Sequence, residues 1–313
     1  MGLSTFSIKM PSVPTLRKAP YPSISPLRPE LSQVGRTILI AGGSAGIGLA
    51  IARGFVQAKA SRVILLGRRP DVLQAAADKL NAERVDKDAT TVTGIPCDIA
   101  DLKDTAKLWD QLKAQGVIVD VLVLNAAVTG GVAPILQSGL ERVWNTFEVN
   151  VRTLMDFTER LWKQEGGGKK YVVNVSTSGI HTLDTESRVI PAYGLTKNAG
   201  TLLLQQIAID ADPREMQIVS FHPGGIFTEM ASKTAGISKE LYDWDDENLP
   251  GNFAVWLASE EAAFAHGRML AAHWDVDELK ANTAVEAAGK GSSLPKIGLL
   301  GVTTDEEVQK RAE

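Results

Sequence analysis

The sequence holds one cysteine, Cys97, in 313 residues. That excludes an internal disulfide and any cysteine-based zinc site. It fits a reducing compartment, so a cytoplasmic location is expected. Histidine is scarce as well: His181, His222, His266 and His273 show no HxxxH-type spacing, so no metal site is expected. No apolar run approaches the roughly 18 residues of a membrane span. Basic residues are not in excess, with 33 Lys and Arg against 37 Asp and Glu. Neither a nucleic-acid footprint nor a polybasic lipid patch is expected from that balance. Residues 1–6 resemble an N-acylation signal but carry Phe6 where Ser or Thr is required.

What is present is the composition of a globular domain, 44% hydrophobic and 22% charged, which rules out a fibrous or disordered chain. Residues 1–34 stand apart. The first 30 hold six prolines and four basic residues against one acidic, Glu30. Proline breaks the amphipathic helix of a transit peptide, so this stretch reads as an extended arm lying on the domain surface.

From residue 36 the texture becomes regular. Apolar β-rich runs lie at 36–41, 62–67, 91–97, 120–125, 170–176 and 216–221, and helix-period stretches lie near 46–59, 70–84, 101–115, 141–163 and 192–211. Near-continuous apolar strands alternating with helices predict an α/β fold, a doubly wound parallel sheet covered on both faces.

The first strand runs into Gly42-Gly43-Ser44-Ala45-Gly46-Ile47-Gly48 and then a helix. Strand, glycine turn and helix N-terminus together make a dinucleotide phosphate site. The glycines let the backbone approach the pyrophosphate, and the helix end offers free N–H groups. An ordinary glycine-rich turn is the plain alternative. Its position at the first βα turn speaks against that. The second strand ends in Gly67-Arg68-Arg69. An acidic residue here would hold the ribose 2′-hydroxyl of NAD, whereas guanidinium groups match a 2′-phosphate. NADP(H) is therefore expected. Farther on, Tyr193-x3-Lys197 sets a phenol and an ammonium one helical turn apart, where a cation would lower the phenol's pKa. The fifth strand ends in Asn174-Val175-Ser176-Thr177-Ser178-Gly179, and strand C-termini are where doubly wound sheets bind ligands.

Taken in order, Gly42-x3-Gly46-x-Gly48, Asp98, Asn125-Ala126-Ala127, Asn150, Ser176, Tyr193-x3-Lys197 and Pro223-Gly224-x3-Thr228 resemble the short-chain dehydrogenase/reductase family. The resemblance covers about 35–275, which it sets as an NADP-binding catalytic domain, and it leaves 276–313 as a C-terminal extension. The wording around the motifs is similar to a fungal subgroup of secondary-metabolism reductases. It implies a Rossmann-like fold and an oxidoreductase that moves a hydride between nicotinamide and a ketone, enone or secondary alcohol of bulky character. Tyr193 would be the general acid or base. Lys197 would lower its pKa and bond the nicotinamide ribose. Ser176 would bond the substrate oxygen, with Ser178 as second candidate, and Asn150 would hold a relay water. Asp98 would contact adenine, Asn125 the adenosine side and Thr228 the carboxamide. Ser44, Ile47, Pro223, Gly224 and Ile226 would complete the cofactor contacts. The family places a substrate lid near 226–245; a fixed amphipathic helix fits that pattern equally well. The segment with His181, Asp184, Glu186 and Arg188 would border the substrate mouth. A homodimer or homotetramer through 141–163 and 192–211 is implied. Alternatives on the same scaffold are a cyclisation or isomerisation without net redox change, or a non-catalytic NADP(H) sensor.

Overall fold

The first six strands coincide with the β-rich runs of the sequence: β1 (Thr37–Ala41), β2 (Arg62–Gly67), β3 (Thr91–Pro96), β4 (Val121–Leu124), β5 (Lys170–Val175) and β6 (Met216–His222). A seventh, β7 (Met269–Ala271), was not expected. At three residues it is too short to show a period. The computed structural model describes residues 10, 12–84, 90–181, 189–235 and 238–286. All seven strands form one parallel sheet in the order β3-β2-β1-β4-β5-β6-β7. The chain leaves β1 towards β2 and later returns to β4 on its other side. The loops beyond β1 and β4 therefore diverge and open a crevice at the strand C-termini.

The helices are α1 (Gly46–Gln57), α2 (Pro70–Glu83), α3 (Leu102–Ala114), α4 (Ile135–Ser138), α5 (Leu140–Phe147), α6 (Thr153–Lys163), α7 (Pro191–Asp210), α8 (Glu229–Ala235), α9 (Leu249–Leu257) and α10 (Val276–Glu286). Alternate strand residues feed two cores. Ile38 and Ile40 pack with α1, α2, α9 and α10 on one face, and Leu39 packs with α3, α6 and α7 on the other. This two-sided burial is why the strands read as continuous apolar runs. No described helix is long and apolar enough to cross a membrane.

Three expectations need correction. The stretch 141–163 is not one helix: a π-helical turn, Glu148–Arg152, separates α5 from α6. Its Asn150 turns inward to bond a neighbouring loop, and π turns commonly re-aim a residue in this way. The region 226–245 is not one amphipathic helix but the short α8 followed by a 3₁₀ turn, Lys239–Leu241; Ile237 lies outside the described residues. The arm does not merely lie on the surface. Val13, Tyr21, Ile24 and Leu31 are buried within the α1/α9 core, each contributing about 1.5–3 kcal/mol of burial.

Candidate active site

The glycine turn after β1 is built by steric necessity. The Gly42 and Gly43 N–H groups both donate to Leu66 O, at 2.9 and 3.3 Å. Gly42 is left-handed at φ +74°, and a Cβ there would sit 3.0 Å from Ala126. Gly48 stands in the first turn of α1, where a Cβ would fall 2.0 Å from Gly42 O. The Asn125 amide donates to that same oxygen at 2.9 Å. α1 begins after Ala45, which supplies no side-chain cap, so its first N–H groups are presented to the crevice.

Across the crevice, α7 carries Tyr193 and Lys197 on one face. Lys197 is 4% exposed, and its Nζ donates to Val175 O at 2.7 Å and lies 5.9 Å from the Tyr193 ring centre. The expected lowering of the phenol's pKa is not the net effect. Burial dominates both groups, pushing Tyr193 up to about 12 and Lys197 down to about 8, because each charged form loses hydration. Ser176 is buried, its Oγ 2.7 Å from Thr201 Oγ1. Thr201 Oγ1 donates its one proton to Lys197 O, so Ser176 is the donor in the pair. The Ser178 backbone N–H donates to His222 Nδ1 at 3.2 Å.

Asn150 ties these parts together. Its Oδ1 accepts the Val128 N–H at 2.9 Å, and its Nδ2 donates to Val128 O and to Thr196 Oγ1 at 2.8 and 2.9 Å. The loop after β4 is thereby fastened to α7. After β6 the chain turns through Pro223 and Gly224, the latter at φ +95°. Thr228 then faces the first turn, its Cγ2 3.5 Å from where a Cβ on Gly46 would stand.

These pieces enclose a cleft of about 690 Å³. Of the residues singled out from sequence, Gly42, Ser44, Gly46, Ile47, Arg68, Arg69, Asn125, Ser176, Tyr193, Lys197, Pro223 and Thr228 line it. Gly48, Asp98, Asn150, Ser178, Gly224 and Ile226 are not among its described lining residues. Gly48 packs behind the turn, Ile226 is buried, and Asp98 Oδ1 accepts the Ala100 N–H at 3.0 Å. Ala45, Ala126, Ala127 and Val175, which stood inside the sequence motifs without an assigned contact, and Glu229 and Met230 of the 226–245 stretch line the cleft as well. Sequence reasoning missed Thr201, although Thr201 sits one helical turn from Lys197 and that spacing was a usable signal. Asp184, Glu186 and Arg188 lie outside the described residues. Cys97 is core, its thiol pushed up to about 12 by burial.

The chain matches the short chain dehydrogenase family over residues 36–236. It belongs to the short-chain dehydrogenase/reductase family. Among fungal members it is 33% identical to the short chain dehydrogenase/reductase AacuD of Aspergillus aculeatus, over 85% of this chain and 89% of that one. It is 32% identical to nsrO of Aspergillus novofumigatus, over 78% and 82%. A solved structure from Beutenbergia cavernae, described as an NAD(P)-dependent gluconate 5-dehydrogenase with NADP bound at low occupancy, is similar at TM-score 0.67 and 26% identity. That match covers 80% of this chain and 99% of that one. Membership makes the chain an oxidoreductase using a nicotinamide cofactor. The cleft fits such a group: Gly42 and Gly48 leave no room for a side chain, and an uncapped helix N-terminus faces it.

Proposed function

We propose that this chain is an NADP(H)-dependent reductase acting on a ketone or enone, or on a secondary alcohol in reverse, with a bulky secondary metabolite as substrate. One observation carries the reading: Tyr193, Lys197 and Ser176 line the same cleft as the glycine turn and Arg68 and Arg69. The end of β2 carries Arg68 and Arg69 in place of a carboxylate, which supports the 2′-phosphate cofactor, as does the NADP held by the Beutenbergia relative. The fungal relatives support the substrate class.

The bound cofactor supplies or accepts the hydride. The α1 N-terminus and the glycine turn, with Ser44 and Ile47, hold the pyrophosphate. Arg68, with Arg69 beside it, holds the 2′-phosphate. Asp98 and Asn125 bound the adenosine side, and Pro223, Gly224, Ile226 and Thr228 the nicotinamide side. Tyr193 gives its proton to the carbonyl oxygen. A phenol raised to about 12 stays protonated at neutral pH, which suits the acid required for reduction better than the base required for oxidation. Lys197 stands beneath the ring as a proton donor to replenish it. Ser176 turns its hydroxyl from Thr201 to the substrate oxygen and stabilises charge there. Asn150 holds the relay water and the loop behind it. The cofactor-binding unit spans 35–275, and the buried arm and α10 of the C-terminal extension complete its core. It works in the cytoplasm and pairs with a second copy through the exposed Trp144, Met155, Trp162 and Ile209 of α5, α6 and α7.

The test is a panel of ketones and enones followed by NADPH absorbance. Tyr193→Phe lowers turnover about a thousandfold with NADPH affinity unchanged. Arg68→Ala weakens NADPH but not NADH. Wild-type turnover in Tyr193→Phe overturns the mechanism. Product without NADPH consumption points instead to isomerisation or cyclisation, and NADPH binding with no turnover to a sensor.

A further inference from the structure

The turn after β6 borders the cleft, with Ile226 buried and Phe227 packed edge-on against Trp244. Its tether comes from Asp245. The Asp245 Oδ2 accepts the Gly225 N–H at 2.7 Å, and the Asp245 N–H donates to Gly225 O at 2.8 Å. The fit is tight, since a Cβ on Gly224 would stand 2.6 Å from that carboxylate oxygen.

Asp245 is in turn bracketed by the N-terminal arm. On one side, Lys18 O accepts the Asp246 N–H at 2.7 Å, and Lys18 Nζ bonds Asp243 O at 3.3 Å and the Asp243 carboxylate. On the other, the Arg17 N–H donates to His273 O at 2.7 Å, and its guanidinium grips Asp275 at 2.6 Å. Lys18, the His273 ring and the Asp243 carboxylate all stand near the Asp245 carboxylate. Two consecutive arm residues thus grasp both loops that flank Asp245. The arm cannot drift, because Tyr21, Ile24 and Leu31 are buried in the core.

We propose that Asp245 and Lys18 are positioning residues that hold residues 223–230 across the cleft, so that the N-terminal arm sets cofactor affinity from a distance. The consequence for affinity rests on the cleft taking NADP(H). The tether itself does not.

Three variants test it, Asp245→Ala, Asp245→Asn and Lys18→Ala, each read by NADPH fluorescence titration and by hydrogen–deuterium exchange over 223–230. Asp245→Ala removes a charge-assisted hydrogen bond and weakens NADPH about tenfold, with faster exchange at Gly225. Asp245→Asn keeps an acceptor oxygen and restores most of both. Lys18→Ala removes only the side-chain half of an exposed contact, and gives a smaller loss of about threefold with an unchanged melting temperature. Unchanged exchange and affinity in Asp245→Ala, or failure of Asp245→Asn to recover, overturns the proposal. Should Asp245→Ala not fold, Lys18→Ala decides, and wild-type exchange there overturns it. If the wild-type chain binds no NADPH, the proposed function falls, and the exchange measurement still decides the tether.

Discussion

Two turns face each other across the cleft and are held by opposite means. The first, between β1 and α1, is locked by backbone against backbone: Gly48 leaves no gap above Gly42 O, and Asn125 seals the same oxygen. The second, after β6, packs through Ile226 and Phe227, and its polar restraint comes from one carboxylate, Asp245, braced by an arm more than 200 residues earlier in the chain. Local contact makes a turn rigid without help. A turn held by a distant polar tether can be loosened without unfolding the domain, because its restraint is separable from the core.

The largest expected effect falls on the first turn. In Gly48→Ala the new Cβ meets a carbonyl oxygen at 2.0 Å and the Asn125 amide at 2.6 Å. The backbone must move, and a loss of about 3 kcal/mol or more is expected, read as a lower denaturation midpoint. A near-native midpoint would show that this turn yields, and the contrast would collapse. Gly224→Ala is expected to cost less stability, about 1–2 kcal/mol for a left-handed alanine. The clashing atom is the far end of Asp245, which can rotate away. Rotation gives up the bond to Gly225, so NADPH affinity should fall by more than the melting temperature suggests. Equal losses in both variants would mean the two turns are held alike.

How legible each part was follows the same line. Strands β1 to β6 and the turn at 42–48 are written in contiguous residues, so apolar runs and glycine spacing disclose them. Tyr193 and Lys197 share one helix and are equally visible. Asn150 was visible as a motif residue, but the π turn that aims it was not, because five residues are too few to tell a π period from an α period. β7 is too short to carry a pattern. The arm looked like a surface strap because proline argues about conformation and says nothing of burial; that Tyr21 and Leu31 fill a core is a tertiary fact. The direction of the Tyr193 shift was missed for a related reason. Spacing shows that Lys197 is near, and only the packed structure shows how dry the place is.

The smallest effect concerns the anchor of the arm. Glu261 accepts from Arg28 Nη2 at 2.6 Å and from Lys280 Nζ at 2.8 Å. Burial pushes its carboxyl up, but the bonds from Arg28 and Lys280 outweigh this and hold it down to about 2, from an ordinary 4.5. A carboxyl lowered on folding stabilises fully above its unfolded value, and that contribution drains away as pH falls from 4.5 towards 2. Glu261→Gln should therefore cost about 1 kcal/mol or less at neutral pH, since the group is partly solvated. The gap from wild type should narrow below about pH 4.5 and nearly close near pH 2. Urea midpoints at pH 7 and pH 3 check it, and a gap that widens on acidification would contradict the assignment. NADPH affinity at pH 7 should stay as in wild type, because the arm remains buried at Tyr21 and the grip of Lys18 is untouched. A fall in affinity in Glu261→Gln would mean the arm moves as one rigid strap, so that the second turn is set by the whole arm rather than by Lys18 and Asp245.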